Sequence, residues 1–547
     1  MSSEAKVKTK KESFGLGVLL TSLWTLVSRF LGLIREMLTS RLFGTSLEKS
    51  AFDFAFKLPN LFRRLFGEGA LTSALVPVLK EQVDANKFEE AKKLTGNIFA
   101  AVATCIGCIV FVAIAGMSIA LPFVDEGSYL ACIFTYSRIM LPYALFICLA
   151  ALGMGVLNAL SHFGKSAFAQ NLLNVCWISG LLYLYFCQQS SELYTKLFIL
   201  SWFILAAGVA QFAYMWWQIR RCGFKFRPKL SKKEFKEGPT YVVCKNLVWG
   251  SIGAGVVQIN VLIDMFLASL IGGWAVSSLG YADRLVYLPM GIIATAMATV
   301  ILNPLTSAFS TGNIEKANTT FRQSFQMLLL LMLPISAILI QYVEDIIILI
   351  YKGGEFNDES VMLVSRALMF SSLGLVAFSL NKLIVPWFHA RKEVAFTVRI
   401  TIAQVILNFT LNVLAIIFLP QMWKHAGLAL ATVISSVAGF LFYLHFAKQE
   451  AHGGLKSRGL GLLFVRLLLP VVAMCVAMYA LTSYCLPISH LGERAQSLIR
   501  LASASVVGGI VYVIALFVTN RNLMYVLLDR LSNRFRFLKR FNKSNKG

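Results

Sequence analysis

The chain of 547 residues is 57% hydrophobic and 14% charged, a balance that excludes a soluble globular or disordered protein and leaves a polytopic membrane protein. Its formal net charge of +24 would suit a nucleic-acid binder. The basic residues, however, gather in alternate connections between apolar runs instead of on one soluble face, so the positive-inside rule accounts for them and nucleic acid is not expected as a partner.

A spanning helix needs about 20 mostly apolar residues. Fourteen segments qualify, near 14–43, 50–79, 94–122, 129–158, 164–187, 194–217, 239–271, 281–308, 323–351, 360–389, 394–419, 425–447, 460–484 and 496–519. The expected fold class is therefore all-α. The first segment is too long for a cleavable signal and contains Arg29 and Arg35. Before it, the tail 1–13 carries Lys6, Lys8, Lys10 and Lys11. The sixth connection, QIRRCGFKFRPKLSKKEFKEG, holds eight Lys or Arg, and the tail 520–547 is basic again. With an even number of spans, both termini are expected in the cytoplasm. The opposite connections fit: the third holds Asp125 and Glu126, the seventh (GGWAVSS) is uncharged, and the ninth adds Glu355, Asp358 and Glu359 to Lys352. Among the ten cysteines, Cys105 and Cys108 lie in the apolar run TCIGCIVFVAIAG and read as buried, inert thiols. No histidine lies near them to complete a metal site.

The two halves echo each other at an offset close to 228. Glu36-Met37 matches Asp264-Met265, Gly44 matches Gly272, and Lys57-Leu58-Pro59 recurs as Tyr287-Leu288-Pro289. Pro77 recurs as Pro304, Asn86 as Asn313, Ser137-Arg138 as Ser365-Arg366, Lys165 as Lys392, and Ala167-Phe168 as Ala395-Phe396. Six spans separate the copies, so they share one orientation, an arrangement found in several transporters. The implied organisation is an N-lobe over 14–217, a basic linker over 218–238, a C-lobe over 239–448, and two further spans within 449–519.

Charges inside spans mark function by default, because a cation at the bilayer centre costs about 2.5–3.5 kcal/mol on insertion scales. Arg29, Arg35, Arg63 and Arg284 facing lipid would together cost roughly 10 kcal/mol. On a straight helix Arg29 and Glu36 share a stripe, while Arg29 and Arg35 diverge by about 120°; both line one cavity only if it is broad or the helix bends at Gly32. Arg64 and Glu68, four apart, can pair on one face. Asp283 and Arg284 read as the start of the eighth span. Two readings stay open: mutual neutralisation with Glu36, Asp53, Glu68 and Asp283, or an anion site. The excess of cations, with Arg41, Lys57 and Arg138 added, favours a phosphate-bearing ligand held by guanidinium groups.

The runs SRFLGLIREMLTSRLFG, AFDFAFKLPNLFRRLFGEGALTSALVPVL, YADRLVYLP and LIYKGGEFNDESV resemble the MurJ (MviN) family of bacterial lipid II flippases, in the multidrug/oligosaccharidyl-lipid/polysaccharide exporter superfamily. The resemblance implies two lobes around a central cationic cavity in the bacterial cytoplasmic membrane. Alternating access there would carry lipid II from the cytoplasmic to the periplasmic leaflet. It implies that Arg29, Arg35, Arg63 and Arg284 hold the diphosphate and sugar headgroup, with Glu36, Lys57, Arg64, Glu68 and Asp283 supporting or gating. The last two spans are similar to a groove for the polyprenyl tail, edged by Arg466 and Arg500, although snorkelling end charges need no function. Asp264, Asn408, Asn412 and Thr432 match a sodium site of some relatives, and helix–helix hydrogen bonding explains the same residues equally well. No cofactor is implied; sodium or the membrane potential is the expected driving force, and membrane lipids and cell-wall synthesis proteins are the further partners. One departure is Ser50, where many relatives carry an acidic residue, with Asp53 three residues later.

The nearest alternative is a flippase for another lipid-linked oligosaccharide, which shares the cationic logic. A drug exporter of the superfamily would favour an acidic, aromatic cavity. An embedded enzyme would need a general base or metal carboxylates at the substrate, whereas His162, His389, His425, His445, His452 and His490 fall at connections or span ends. No GxxxxGK[ST] phosphate loop occurs.

Overall fold

The computed structural model describes residues 14–65, 71–231, 234–235, 238–452, 454–457, 459–485 and 491–520. Both basic tails and Glu68, hence also its pairing with Arg64, lie outside them.

Helices account for nearly all of the described chain, and the only β pairing among these residues is a single bridge between Gly353 and Phe356. The chain divides into two units, residues 1–280 with 351–360, and residues 281–350 with 361–547. The first contains α1 (Phe14–Phe43), α2 (Leu47–Phe62), α3 (Leu71–Asp84), α4 (Phe88–Ala120), α5 (Tyr129–Met140), α6 (Pro142–Ala159), α7 (Phe163–Cys187), α8 (Leu193–Arg221), α9 (Pro239–Ser269) and the first turns of α10 (Ala275–Pro289). The second contains the rest of α10, α11 (Thr295–Ser310), α12 (Ile314–Gln341), α13 (Val343–Ile350), most of α14 (Asp358–Leu373), α15 (Leu375–Ala390), α16 (Val394–Phe418), α17 (Lys424–Ala447), α18 (Leu460–Ala480) and α19 (Glu493–Thr519).

Among the described residues, eleven helices are long and apolar enough to cross a membrane, or twelve when α14 and α15, bent by 43° at Gly374, count as one span. The expected fourteen is not reached by this measure. Residues 66–70 of the segment near 50–79 lie outside the described residues, and within α9 only Gln258–Ser269 counts as a shorter apolar helix. Cys105 and Cys108 are exposed on α4, a correction to the buried reading. They share that helix with exposed Phe111 and Val112, so they face the side that a spanning helix gives to lipid.

The repeat is visible in the element order. The Leu-Pro step of α2, at Pro59, is followed by a widened π turn over 63–65, and the Leu-Pro step ending α10, at Pro289, by another over Met290–Ala294. Proline removes a helical hydrogen bond, which favours such a break. The register of two echoes needs correction: the left-handed residues two before α4 and α12 are Asn86 and Gly312, so Asn86 corresponds to Gly312 and not to Asn313. The left-handed residues just before α7 and α16 are Ser161 and Lys392, so Lys392 corresponds to Ser161 and not to Lys165, and Ala395-Phe396 does not correspond to Ala167-Phe168.

In the first unit α2 is anchored by aromatic edges: Phe52 and Phe56 meet Trp177 of α7 at 5.8 and 5.0 Å between centroids, and Phe52 meets Tyr136 of α5 at 6.0 Å. In the second, fully buried Trp387 is packed by Phe309 at 4.9 Å and Phe321 at 5.7 Å. Between helices in lipid such close packing, more than the hydrophobic effect, supplies the cohesion.

Candidate functional site

α1 runs unbroken through Gly32, so its charges are placed by a straight helical period. Arg29 is half-buried. Arg35 is only 6% exposed. Its Nη2 donates to Glu36 Oε1 at 2.7 Å, its Nη1 donates to Asn174 Oδ1 at 2.9 Å, and its guanidinium carbon lies 4.6 Å from the Trp177 ring centroid. Asn174 Nδ2 in turn donates to the Ser28 carbonyl at 3.1 Å, beside Arg29. One asparagine thus ties two turns of α1 to α7, and Trp177 carries the same node to α2 through Phe52 and Phe56. A buried ion pair with further hydrogen bonds is the arrangement that offsets desolvation. Replacing Asn174 by alanine removes a bond to a buried charge, worth about 1.5–3 kcal/mol. The expected result is a clear fall in the thermal midpoint of the purified protein; an unchanged midpoint would contradict this role.

Lys57, Arg63 and Arg64 are half-buried, and Arg63 Nε donates to Asn60 Oδ1 at 2.8 Å, which orients its fork. Arg63 and Arg64 occupy the π turn, a distortion that recurs at functional positions. In the second unit Arg284 is exposed and Asp283 half-buried, more than two turns inside α10. This corrects the expectation that they begin the helix, because the helix starts at Ala275.

Ser50, standing for the acidic residue of many relatives, is fully buried, donates to Ser277 Oγ at 2.8 Å and accepts from the Ser277 amide at 3.1 Å. Asp53 is paired with the buried Lys49 one turn earlier. Nearby, residues 351–360 form a strap seated on the end of α1, in the first unit. The Glu355 amide donates to the Arg41 carbonyl at 2.9 Å, Ser40 Oγ donates to the Tyr351 carbonyl at 3.2 Å, and Thr45 Oγ1 meets Ser360 Oγ at 2.8 Å. Lys352 pairs with Asp358 at 2.6 Å, while Tyr351 and Phe356 are buried with their rings 5.8 Å apart. Gly44 and Gly354 both adopt left-handed backbone, and a Cβ on either would strike a carbonyl oxygen, of Glu355 or of Arg41. Glycine is required at both positions.

Of the four residues matching a cation site, three lie in the second unit: Asn412 Nδ2 donates to Asn408 Oδ1 at 3.0 Å and Asn408 Nδ2 to Thr432 Oγ1 at 3.1 Å, with both asparagines fully buried. Asp264 belongs to the first unit, where Asn260 Nδ2 donates to it at 3.2 Å. Carboxylate, amide and hydroxyl oxygens are donors that suit a hard cation. Sequence reading did not single out Asn174, Trp177 or Ser28, although the signal was present: Asn171, Asn174 and Trp177 repeat at helical spacing within an apolar span.

The fold, with its intramembrane charges, is that of a multi-pass membrane protein, and it is shared with transporters of the multidrug/oligosaccharidyl-lipid/polysaccharide superfamily. A multidrug transporter of that superfamily in an inward-facing conformation superposes with a TM-score of 0.64 at 14% identity, covering 81% of this chain and 99% of the other. The family model described as "Lipid II flippase MurJ" matches residues 39–495, and the chain belongs to this family, a family of transporters and not of enzymes. A probable lipid II flippase MurJ from Rhizobium meliloti (strain 1021) is 33% identical over 499 residues, covering 88% of this chain and 90% of the relative. The lipid II flippase MurJ of Burkholderia cenocepacia is 29% identical over 493 residues, covering 89% and 93%. The solved structure of a lipid II flippase MurJ in an inward closed conformation superposes with a TM-score of 0.74 at 23% identity, covering 92% of this chain and all of the other.

Proposed function

We propose that this protein flips lipid II from the cytoplasmic to the periplasmic leaflet of a bacterial cytoplasmic membrane by alternating access through a central cationic cavity. The observation that carries the reading is the set of half-buried arginines on α1 and the α2 π turn, held in a fold of the MurJ family. Arg29 and Arg63 bind the diphosphate and sugar headgroup, with Arg284 contributing from the second unit. Arg35 acts one step back: with Asn174 and Trp177 it fixes the position of α1 relative to α7. Lys57 and Arg64 add positive potential to the anion site, Glu36 balances the charge of Arg35, and Asp283 and Glu68 are supporting or gating residues.

The two lobes rock with both termini in the cytoplasm, and α18 and α19 accommodate the polyprenyl chain. Sodium held by Asp264, Asn408, Asn412 and Thr432, or the membrane potential, at about 2.3 kcal/mol per charge per 100 mV, supplies the bias. Cell-wall synthesis proteins deliver and take up the lipid.

The test is complementation. In cells depleted of their own lipid II flippase, this chain should restore growth and cell shape. Normal insertion without rescue would contradict the assignment and favour a different lipid-linked oligosaccharide as substrate.

A further inference from the structure

The sixth connection is more than a basic loop. After α8 the residues Cys222, Phe224 and Phe226 are buried, and Lys225, Arg227 and Lys229, interleaved with or following them, are exposed. This period of two is that of extended chain. The buried members are firmly seated: Phe226 meets Phe99 of α4 at 4.8 Å and Trp216 of α8 at 5.2 Å between centroids, and the Lys229 amide donates to the Gly96 carbonyl at 3.4 Å. A Cβ at Gly96 would collide with the carbonyl oxygen of Arg227, so the chain passes where only glycine leaves room. The three cations therefore project from a fixed edge, about 6.5–7 Å apart along it.

Two more cations adjoin this edge, at the end of α8. The Arg220 guanidinium carbon lies 4.8 Å from the Trp216 ring centroid, and that of Arg221 3.9 Å from Trp217. Stacking on an aromatic face holds the guanidinium plane while leaving its N–H fork available to an anion. The sequence has no Asp or Glu between Glu192 and Glu234. None of the five cations takes part in the ion pairs found among the described residues.

Below the guanidinium groups, Val209 and Trp217 are exposed on α8 two turns apart and lead toward Arg220 and Arg221. An apolar stripe leading up to fixed guanidinium groups at the end of a spanning helix matches a molecule with a phosphate head and hydrocarbon chains. A free phosphate would make no use of the stripe. We propose that Arg220, Arg221, Lys225, Arg227 and Lys229 form a headgroup site for an anionic phospholipid of the adjacent leaflet, with its chains lying along α8.

The experiment uses the full chain in nanodiscs of phosphatidylcholine with a minor fraction of phosphatidylglycerol, and native mass spectrometry of the lipids that stay bound. Wild type should retain phosphatidylglycerol above its bulk proportion. Arg221→Gln should weaken that retention about fivefold, equivalent to the roughly 1 kcal/mol expected per basic residue at an anionic surface. Neutralising all five to glutamine should return the bound lipids to the bulk ratio, while K225R/K229R should keep the enrichment. Equal enrichment in wild type and the neutralised protein would overturn the site. So would loss in K225R/K229R despite unchanged helical content. Displacement of phosphatidylglycerol by inorganic phosphate alone would overturn the lipid assignment.

Discussion

Arg63→Ala is expected to abolish transport of lipid II while leaving membrane insertion and helical content unchanged. Arg63 lies at the π turn following α2, half-buried and oriented by Asn60, so the loss removes a directed charge without breaking a packed core. A charge-assisted hydrogen bond contributes about 1.5–3 kcal/mol, enough to weaken the hold on a diphosphate by roughly ten- to a hundredfold per bond lost. Arg63→Lys keeps the charge but not the bidentate fork, and should transport measurably but poorly. Arg29→Ala should follow Arg63→Ala. Arg35→Ala should differ in kind: Glu36 would remain in a buried setting deprived of its guanidinium, so stability falls along with transport. Normal transport by both Arg29→Ala and Arg63→Ala would contradict the assignment of the anion site.

The second large effect concerns the strap. Thr45 and Ser360 have their hydroxyl oxygens 2.8 Å apart, close enough for cysteines at these positions to bridge. With exposed Cys105, Cys108 and Cys187 replaced by serine, T45C/S360C should oxidise readily, lose nearly all transport, and regain it on reduction. The physical reason is covalent: residues 351–360 join α13 to α14, so fixing the strap to Thr45 blocks any rocking that requires it to lift. Full transport by the bridged protein would show that the strap stays seated throughout the cycle.

Much of this organisation was legible in the sequence because lipid imposes long apolar runs and the repeat preserves unusual residues. Pro59 and Pro289 identify equivalent breaks in α2 and α10, and the structure gives both a π turn. The individual charges on α1 were visible for the same reason, since an arginine within an apolar run is conspicuous. Their environments were not. Arg35 meets Asn174 and Trp177 across more than a hundred residues, and a helical period can say which side chains share a face but not which helix that face meets. The strap was likewise opaque: its Gly353-Gly354 reads as a turn, while the reason for Gly354 lies at the Arg41 carbonyl, again far away in sequence. The number of spans was harder to read than the helical class, because Lys57, Arg63 and Arg64 interrupt the apolar run near 50–79. The echo at Lys165 and Lys392 misled because matched residue types in apolar sequence tolerate a slip of about one helical turn.

The most direct test of the central claim is the leaflet in which lipid II resides. Cells depleted of their own flippase and complemented with this chain would be exposed to a toxin that cleaves lipid II only from outside, with labelled lipid II as the readout. Flipping through the cationic site predicts that lipid II becomes cleavable with the wild-type chain and stays protected with Arg63→Ala expressed at the same level. Equal cleavage in the two would contradict it.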